Sequence, residues 1–359
     1  MCELCDAPDG SRTRYFDDIE ARCHDCGDVG ARLAAIIVIG VVLIFAAIFA
    51  SFVLNSENSK GASGWSKRVN DARRIWRVAR MRHKTKVGIG FYQCLAAVPG
   101  VFNLTVPVGL EHYAKWLDLL ELPADLDDML VPGSCMGDYR SRLWFGSMWP
   151  IVLVAFFASC FVGYEFHLQR SRGAVDDEER ARGPGAVVLA GLQRCLPLAL
   201  GVSFVVVPSA STRVFQTFRC DSFQYDVGEV REYLHDDYKL NCQSDEYDAT
   251  RSSAIFLLLI WPVGVPLLYA ALLYASRKAL LKGMRTTLSD ATHFLSGDYE
   301  ATTFWWEPVE MCRKLLLTGW LLLVDSTAEQ TRVVVALLLS IFFLMLRLAV
   351  KPLAKCVAR

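Results

Sequence analysis

Apolar residues along this chain gather in blocks of about twenty, separated by shorter charged stretches, the pattern of a polypeptide threaded through lipid. The clearest block, residues 33–54, has neither charge nor proline and spans roughly 33 Å at ~1.5 Å per residue, enough to cross the hydrocarbon layer. Further blocks cover residues 87–110, 144–164, 186–210, 254–275, 305–324 and 333–350. The pattern predicts an all-α membrane protein of seven transmembrane helices. The sixth block is anomalous, because only residues 315–324 are uncharged and they make about 15 Å of helix, half the hydrocarbon thickness.

Charge between the blocks gives the orientation. Segments 55–86, 165–185, 276–304 and 351–359 hold 21 Lys/Arg and 10 Asp/Glu, whereas segments 1–32, 111–143, 208–252 and 325–331 hold 12 and 26. Basic loops are retained in the cytosol, so the amino terminus is expected outside and the carboxyl terminus inside. The expected organisation is an extracellular cysteine-rich module (1–32), a first transmembrane helix (33–54), a basic amphipathic cytosolic linker (55–86), a six-helix membrane domain (87–350) and a cytosolic tail (351–359). No signal peptide precedes the first block. That implies an uncleaved reverse anchor or a truncated longer ectodomain, and we read it as the latter. Globally, 38 Lys+Arg balance 38 Asp+Glu, which gives no reason to expect nucleic acid as a partner.

Cysteines sort by compartment. Cys2, Cys5, Cys23 and Cys26 have C-x2-C-x17-C-x2-C spacing, a zinc-ribbon pattern in the cytosol but a disulfide framework outside. We expect disulfides, with zinc on those four thiolates as the alternative and the connectivity open. Cys220 and Cys242 bracket the largest outer loop and are expected to pair. That leaves Cys135 unpaired, or joined to Cys220 instead. Cys94, Cys160, Cys195 and Cys312 lie inside apolar blocks as small packing residues.

The charged half of the sixth block carries Glu307, Glu310, Arg313 and Lys314. Helical spacing sets Glu310 beside Arg313 and Lys314, and lipid exposure of such groups costs a few kcal/mol each, so they should face the bundle interior, a wet cavity or the cytosolic headgroups. Arg194 in the fourth block is an expected partner for Glu307 or Glu310. The cluster is either a structural brace or part of a path or gate. Pro99, Pro107, Pro262 and Pro266 remove backbone donors within the second and fifth blocks, predicting kinks that could serve gating.

Residues 65–86 place Trp65, Val69, Ala72, Trp76 and Ala79 at helical spacing among basic residues that include Lys67, Arg68, Arg73, Arg74, Arg77 and Arg80. That segment should lie on anionic inner-leaflet lipids, each nearby cation contributing roughly 1 kcal/mol. The lipid bilayer is the primary expected partner, with a homo-oligomer an open option. Asp125, Asp127, Asp128, Asp236 and Asp237 form acidic outer patches without calcium-loop spacing.

Residues 215–220 (PheGlnThrPheArgCys), 233–242, the TrpProValGlyValPro of 261–266 and above all 298–319, with its TrpGlu-x-x-Glu-x-x-ArgLys, resemble the membrane region of large protist and algal proteins. Those in turn are similar to the transient-receptor-potential-like (polycystin-like) channel family at their carboxyl-terminal domain. They often follow cysteine-rich ephrin-receptor-like or EGF-like repeats, and residues 2–26 look like the end of such a repeat. The resemblance implies a channel-like or sensory membrane protein; separately, no cofactor is expected. It departs from tetrameric channels between the last two blocks, where about eight residues leave no room for a filter.

The leading expectation is therefore a non-enzymatic transient-receptor-potential-like channel or sensor. A seven-helix receptor is the alternative, although AspArgTyr is missing after the third block and AsnProxxTyr from the last; a transporter is the third class. Catalysis is not expected, since no phosphate loop, nucleophile elbow or embedded metal triad is visible.

Overall fold

The structure is a computed structural model that describes residues 14–17, 22–26, 81–102, 135, 137–172, 183–226, 229–324 and 329–353. The chain divides into two compact units, residues 1–92 with 125–142, and residues 93–124 with 143–359. In the first unit, strand β1 (Arg14–Asp17) pairs antiparallel with β2 (Arg22–Asp25), Tyr15 opposite His24 and Phe16 opposite Cys23. Cys26, immediately after β2, is disulfide-bonded to Cys135, 109 residues away in sequence. Cys135 is thus neither unpaired nor joined to Cys220. Because Cys26 is taken, a zinc site built on all four amino-terminal cysteines loses one of its thiolates; Cys2, Cys5 and the Cys23 side chain lie outside the described residues.

Four helical stretches are long and apolar enough to cross a membrane: Tyr139–Arg170, Pro184–Gln216, Asp245–Lys282 and Gln330–Val350. This is a multi-pass membrane protein. They correspond to helices α3 (Tyr139–Arg172) and α4 (Pro184–Gln216), the continuous run α5 (Asp245–Leu258), a π-helical turn (Leu259–Gly264) and α6 (Val265–Lys282), which the short helices α7 (Thr287–Ala291) and α8 (His293–Ser296) follow, and α10 (Glu329–Val350). Large apolar side chains stand exposed along them, Val152, Leu189, Leu267 and Leu338 each more than half so. In water that would be costly, but next to acyl chains it is the expected outer surface. Gly191 lets α3 and α4 approach closely, since a Cβ there would come within 2.6 Å of the Val162 backbone.

The seven expected blocks do not all reappear as full spans among the described residues. Residues 33–54 lie outside them. The second block is described only as far as α1 (Met81–Ala96) and α2 (Val98–Phe102). The sixth is a 13-residue helix, α9 (Trp306–Thr318), that ends at Gly319 and gives way to a 3-10 turn, Trp320–Leu323. Helix α9 is about 20 Å long, short of the hydrocarbon thickness. The close approach at its end needs a glycine, because a Cβ on residue 319 would press into the Phe215 ring. That contact belongs to a small core of Val101, Phe215, Leu321 and Leu322.

The expectation of an all-α chain also needs correction. After α4 the backbone forms an antiparallel sheet of β3 (Cys220–Asp226), β4 (Glu229–Leu234) and β5 (Asp237–Asn241), in that order. Leu234 and Leu240 are buried, while Phe223 opposes Arg231 and Asp221 opposes Tyr233 on the other face. With one face packed and one wet, each strand needs only one or two apolar residues. The Cys220–Cys242 disulfide closes the module, Cα atoms 6.5 Å apart. Ser244 then caps α5 through the Tyr247 backbone N–H.

The prolines act locally and differently. Pro99 is the second residue of α2, where its missing N–H costs nothing. Pro262 lies inside the π-helical turn and Pro266 at the start of α6, so the two together account for the widened backbone. Pro107 lies outside the described residues. Pro150, Pro197 and Pro208 sit within α3 and α4.

Candidate functional site

Helix α9 packs against α4, α6 and α10, and its charged half turns inward. Glu307 and Lys314 are 3% and 2% exposed. Arg313 donates through Nε to Glu310 Oε1 at 3.0 Å, and its Nη2 forms an ion pair with the same carboxylate. This is the i,i+3 pair that the sequence spacing predicts.

Lys314 is held otherwise. Its Nζ donates to Gln93 Oε1 at 3.4 Å and lies 3.9 Å from the centre of the Phe204 ring. Gln93 in turn donates from Nε2 to the Val205 carbonyl at 2.8 Å, so one α1 amide joins α4 to α9. No carboxylate oxygen stands within ion-pair distance of Lys314 among the described residues. A buried ammonium satisfied by one long hydrogen bond and a ring face keeps donor capacity to spare.

Glu307 accepts a hydrogen bond from the Tyr299 hydroxyl at 2.9 Å. Burial, and then the neighbouring Glu307 charge, push the Tyr299 phenol well above its ordinary range, so it stays a donor. The chain beyond α10 holds Tyr299 in place. Lys351 adopts a positive φ of 48°, Leu353 bridges to Tyr299, and Glu300 N–H and Thr303 Oγ1 both donate to the Pro352 carbonyl at 3.0 Å. The Cys94 thiol lies near Arg313 and Lys314.

Arg194 is not part of this cluster. It pairs with Glu165 of α3 at 2.6 Å, which leaves neither Glu307 nor Glu310 as its partner. Glu165 directly follows the third apolar block, and an acidic residue one helical stretch before an intramembrane arginine was the available signal. Arg332 is a further buried cation that pattern reading passed over. It is 1% exposed and donates to the Val324 carbonyl through Nε and Nη2, at 3.0 and 2.6 Å, and to the Val101 carbonyl through Nη1 at 3.0 Å. Lys67, Arg68, Arg73, Arg74, Arg77 and Arg80 lie outside the described residues, as do Asp125, Asp127 and Asp128.

A second polar group sits on the wet face of the sheet. His235 Nδ1 and Asp221 Oδ2 are 2.6 Å apart, and the Tyr238 hydroxyl donates to the same oxygen at 2.9 Å. Burial alone would raise the Asp221 carboxyl, but the hydrogen bonds from His235 and Tyr238 outweigh it and hold the group below its usual value. Among the described residues no set of His, Cys, Asp and Glu side chains is grouped to hold a metal ion.

Cysteine repeat modular protein A of Toxoplasma gondii is similar to this chain, 24% identical over 171 residues, which cover 46% of this chain and 5% of that protein. The chain therefore corresponds to about one twentieth of the length of that relative. No family model matches. No solved structure matches.

Proposed function

We propose that this chain is the membrane region of a non-enzymatic, transient-receptor-potential-like channel or sensor. Seven helices thread the bilayer from an outer amino terminus, and the α9 cluster is its gate. The observation that carries this reading is the inward placement of Lys314, a buried cation resting on an amide oxygen and a ring rather than on a carboxylate. A brace needs only neutralised pairs, such as Glu310 with Arg313. An ammonium with unused donors, a few residues from Glu307, can exchange partners when a helix shifts or an anionic group enters. The π-helical turn around Pro262 supports the same reading, because a widened backbone is a place where a helix can bend. The similarity to a protein named for cysteine repeats is consistent with the cysteine-rich outer module as a receiver of external cues. Any ion path runs within the bundle, since the short link before α10 cannot house a filter.

The test is current through planar bilayers containing the purified full chain. We expect ion currents that Lys314→Met and Glu310→Gln alter while the protein remains folded and monodisperse. Absence of current from the wild type, or identical currents from all three proteins, removes the proposal. The seven-helix receptor reading draws on one observation of its own, the Cys26–Cys135 crosslink just ahead of α3, and it predicts the silent outcome.

A further inference from the structure

The far end of α6 has a side-chain pattern that the charge cluster does not use. Residues 254–275 already make about 33 Å of helix at ~1.5 Å per residue, enough to cross the hydrocarbon, so the residues that follow belong to the headgroup layer. Large apolar side chains nevertheless remain exposed there, Leu281 by 54% and Met284 by 52%, after Tyr274 at 64%. Cations interleave with them: Arg277, Lys278, Lys282 and Arg285. Helical spacing puts Tyr274, Lys278 and Lys282 on one stripe, with Arg277 and Leu281 on the next. The Arg277 guanidinium is fixed 3.6 Å over the Tyr274 ring. Gly283, at φ 64°, ends the helix by donating to the Leu280 carbonyl, while Met284 N–H donates to that of Ala279.

Among the described residues, nothing neutralises these four charges. The sequence has no acidic residue between Asp248 and Asp290, and among the described residues none of the four has a carboxylate partner. A purely solvated face has no use for exposed Leu281 and Met284. A soluble anion would satisfy the cations and leave those side chains in water. Only an amphiphile with a negative head matches both halves of the stripe.

We infer that the inner end of α6, from Tyr274 to Arg285, is a binding surface for anionic lipid headgroups. The lipid phosphate and its acidic substituent accept from Lys278, Lys282, Arg285 and the free edge of Arg277, and the upper acyl carbons rest on Leu281, Met284 and Tyr274. This surface is independent of whether the chain conducts.

The experiment is native mass spectrometry of the full chain released from nanodiscs of phosphatidylcholine mixed with phosphatidylserine. Retained lipid is compared between the wild type and a Lys278→Gln/Lys282→Gln/Arg285→Gln variant. Each cation near the surface contributes about fivefold, so the variant should lose phosphatidylserine preference by on the order of a hundredfold while retaining phosphatidylcholine as before. Lys278→Arg/Lys282→Arg should keep the preference. Rising salt should strip phosphatidylserine from the wild type selectively, a reading that needs no variant. Unchanged preference in the triple variant, equal loss of both lipids, salt-insensitive retention, or displacement by inorganic phosphate at equal concentration would each overturn the inference.

Discussion

Two regions of this molecule pair charges, and they do so under opposite constraints. On the β3–β5 sheet, Asp221 takes hydrogen bonds from His235 and Tyr238 while all three remain partly open to water. In α9, Glu307 and Lys314 are almost wholly removed from solvent. The sheet can lose a partner and let water replace it. The helix cannot, because a buried ion without its partners carries most of its desolvation cost. Truncating Lys314 as Lys314→Ala removes its hydrogen bond to Gln93 and its packing on Phe204 and leaves a cavity, which should destabilise by about 2–5 kcal/mol, read as a lowered melting temperature in detergent. Lys314→Met, which keeps the volume, should cost less. Equal and small effects from both would mean that the cluster is wetter than its burial implies.

The next largest effect separates the regions by locality. Replacing Cys220 and Cys242 together by serine frees a loop of 22-residue separation, with an expected loss of about 3 kcal/mol for a loop of that size. Hydrogen exchange should quicken in β3–β5 and leave α9 protected. Acceleration in both would show that the sheet and the cluster unfold as one unit. Within the sheet, Asp221→Asn weakens two charge-assisted hydrogen bonds and should cost about 1.5–3 kcal/mol, seen in the same amides. At the far end of α9, Gly319→Ala drives a methyl into Phe215 and should cost about 1–3 kcal/mol by overpacking. Phe215→Leu in the same chain should recover part of that loss.

How much of each region could be read in the sequence follows from the physics that shapes it. Uninterrupted apolar blocks announce α3, α4, α5–α6 and α10, because lipid demands a long unbroken run. The α9 pair Glu310–Arg313 follows from helical spacing alone. Its other partners do not: Gln93 is 221 residues from Lys314, and Tyr299 reaches Glu307 only because the segment after α10 folds back on it. The assignment of Arg194 to the cluster failed for a related reason, since depth along a helix fixes height in the bilayer but not which neighbour a side chain faces. The sheet was concealed by its economy: among the described residues Leu234 and Leu240 are its buried apolar side chains, too few to stand out as an apolar run. Cys26 and Cys135 illustrate the limit again, their pairing set by a tertiary approach that spacing does not encode.

The smallest effect concerns pH, and it divides the two regions most cleanly. The Asp221 carboxyl is held below its ordinary value, so its contribution is complete above the unfolded value of about 3.9 and fades as pH falls through the lower folded value. The Tyr238 phenol is pushed up, first by burial and then by Asp221. Its contribution is complete below the unfolded value of about 10 and is lost as pH rises through the higher folded value. The sheet amides should therefore keep constant protection between about pH 4 and pH 10 and lose it beyond either limit, once intrinsic exchange rates are allowed for. Asp221→Asn should abolish the acid limb and, by removing the anion beside Tyr238, move the alkaline limb to lower pH. An acid limb that survives Asp221→Asn would assign the titration to another group and would separate the sheet's stability from the hydrogen-bonded triad altogether.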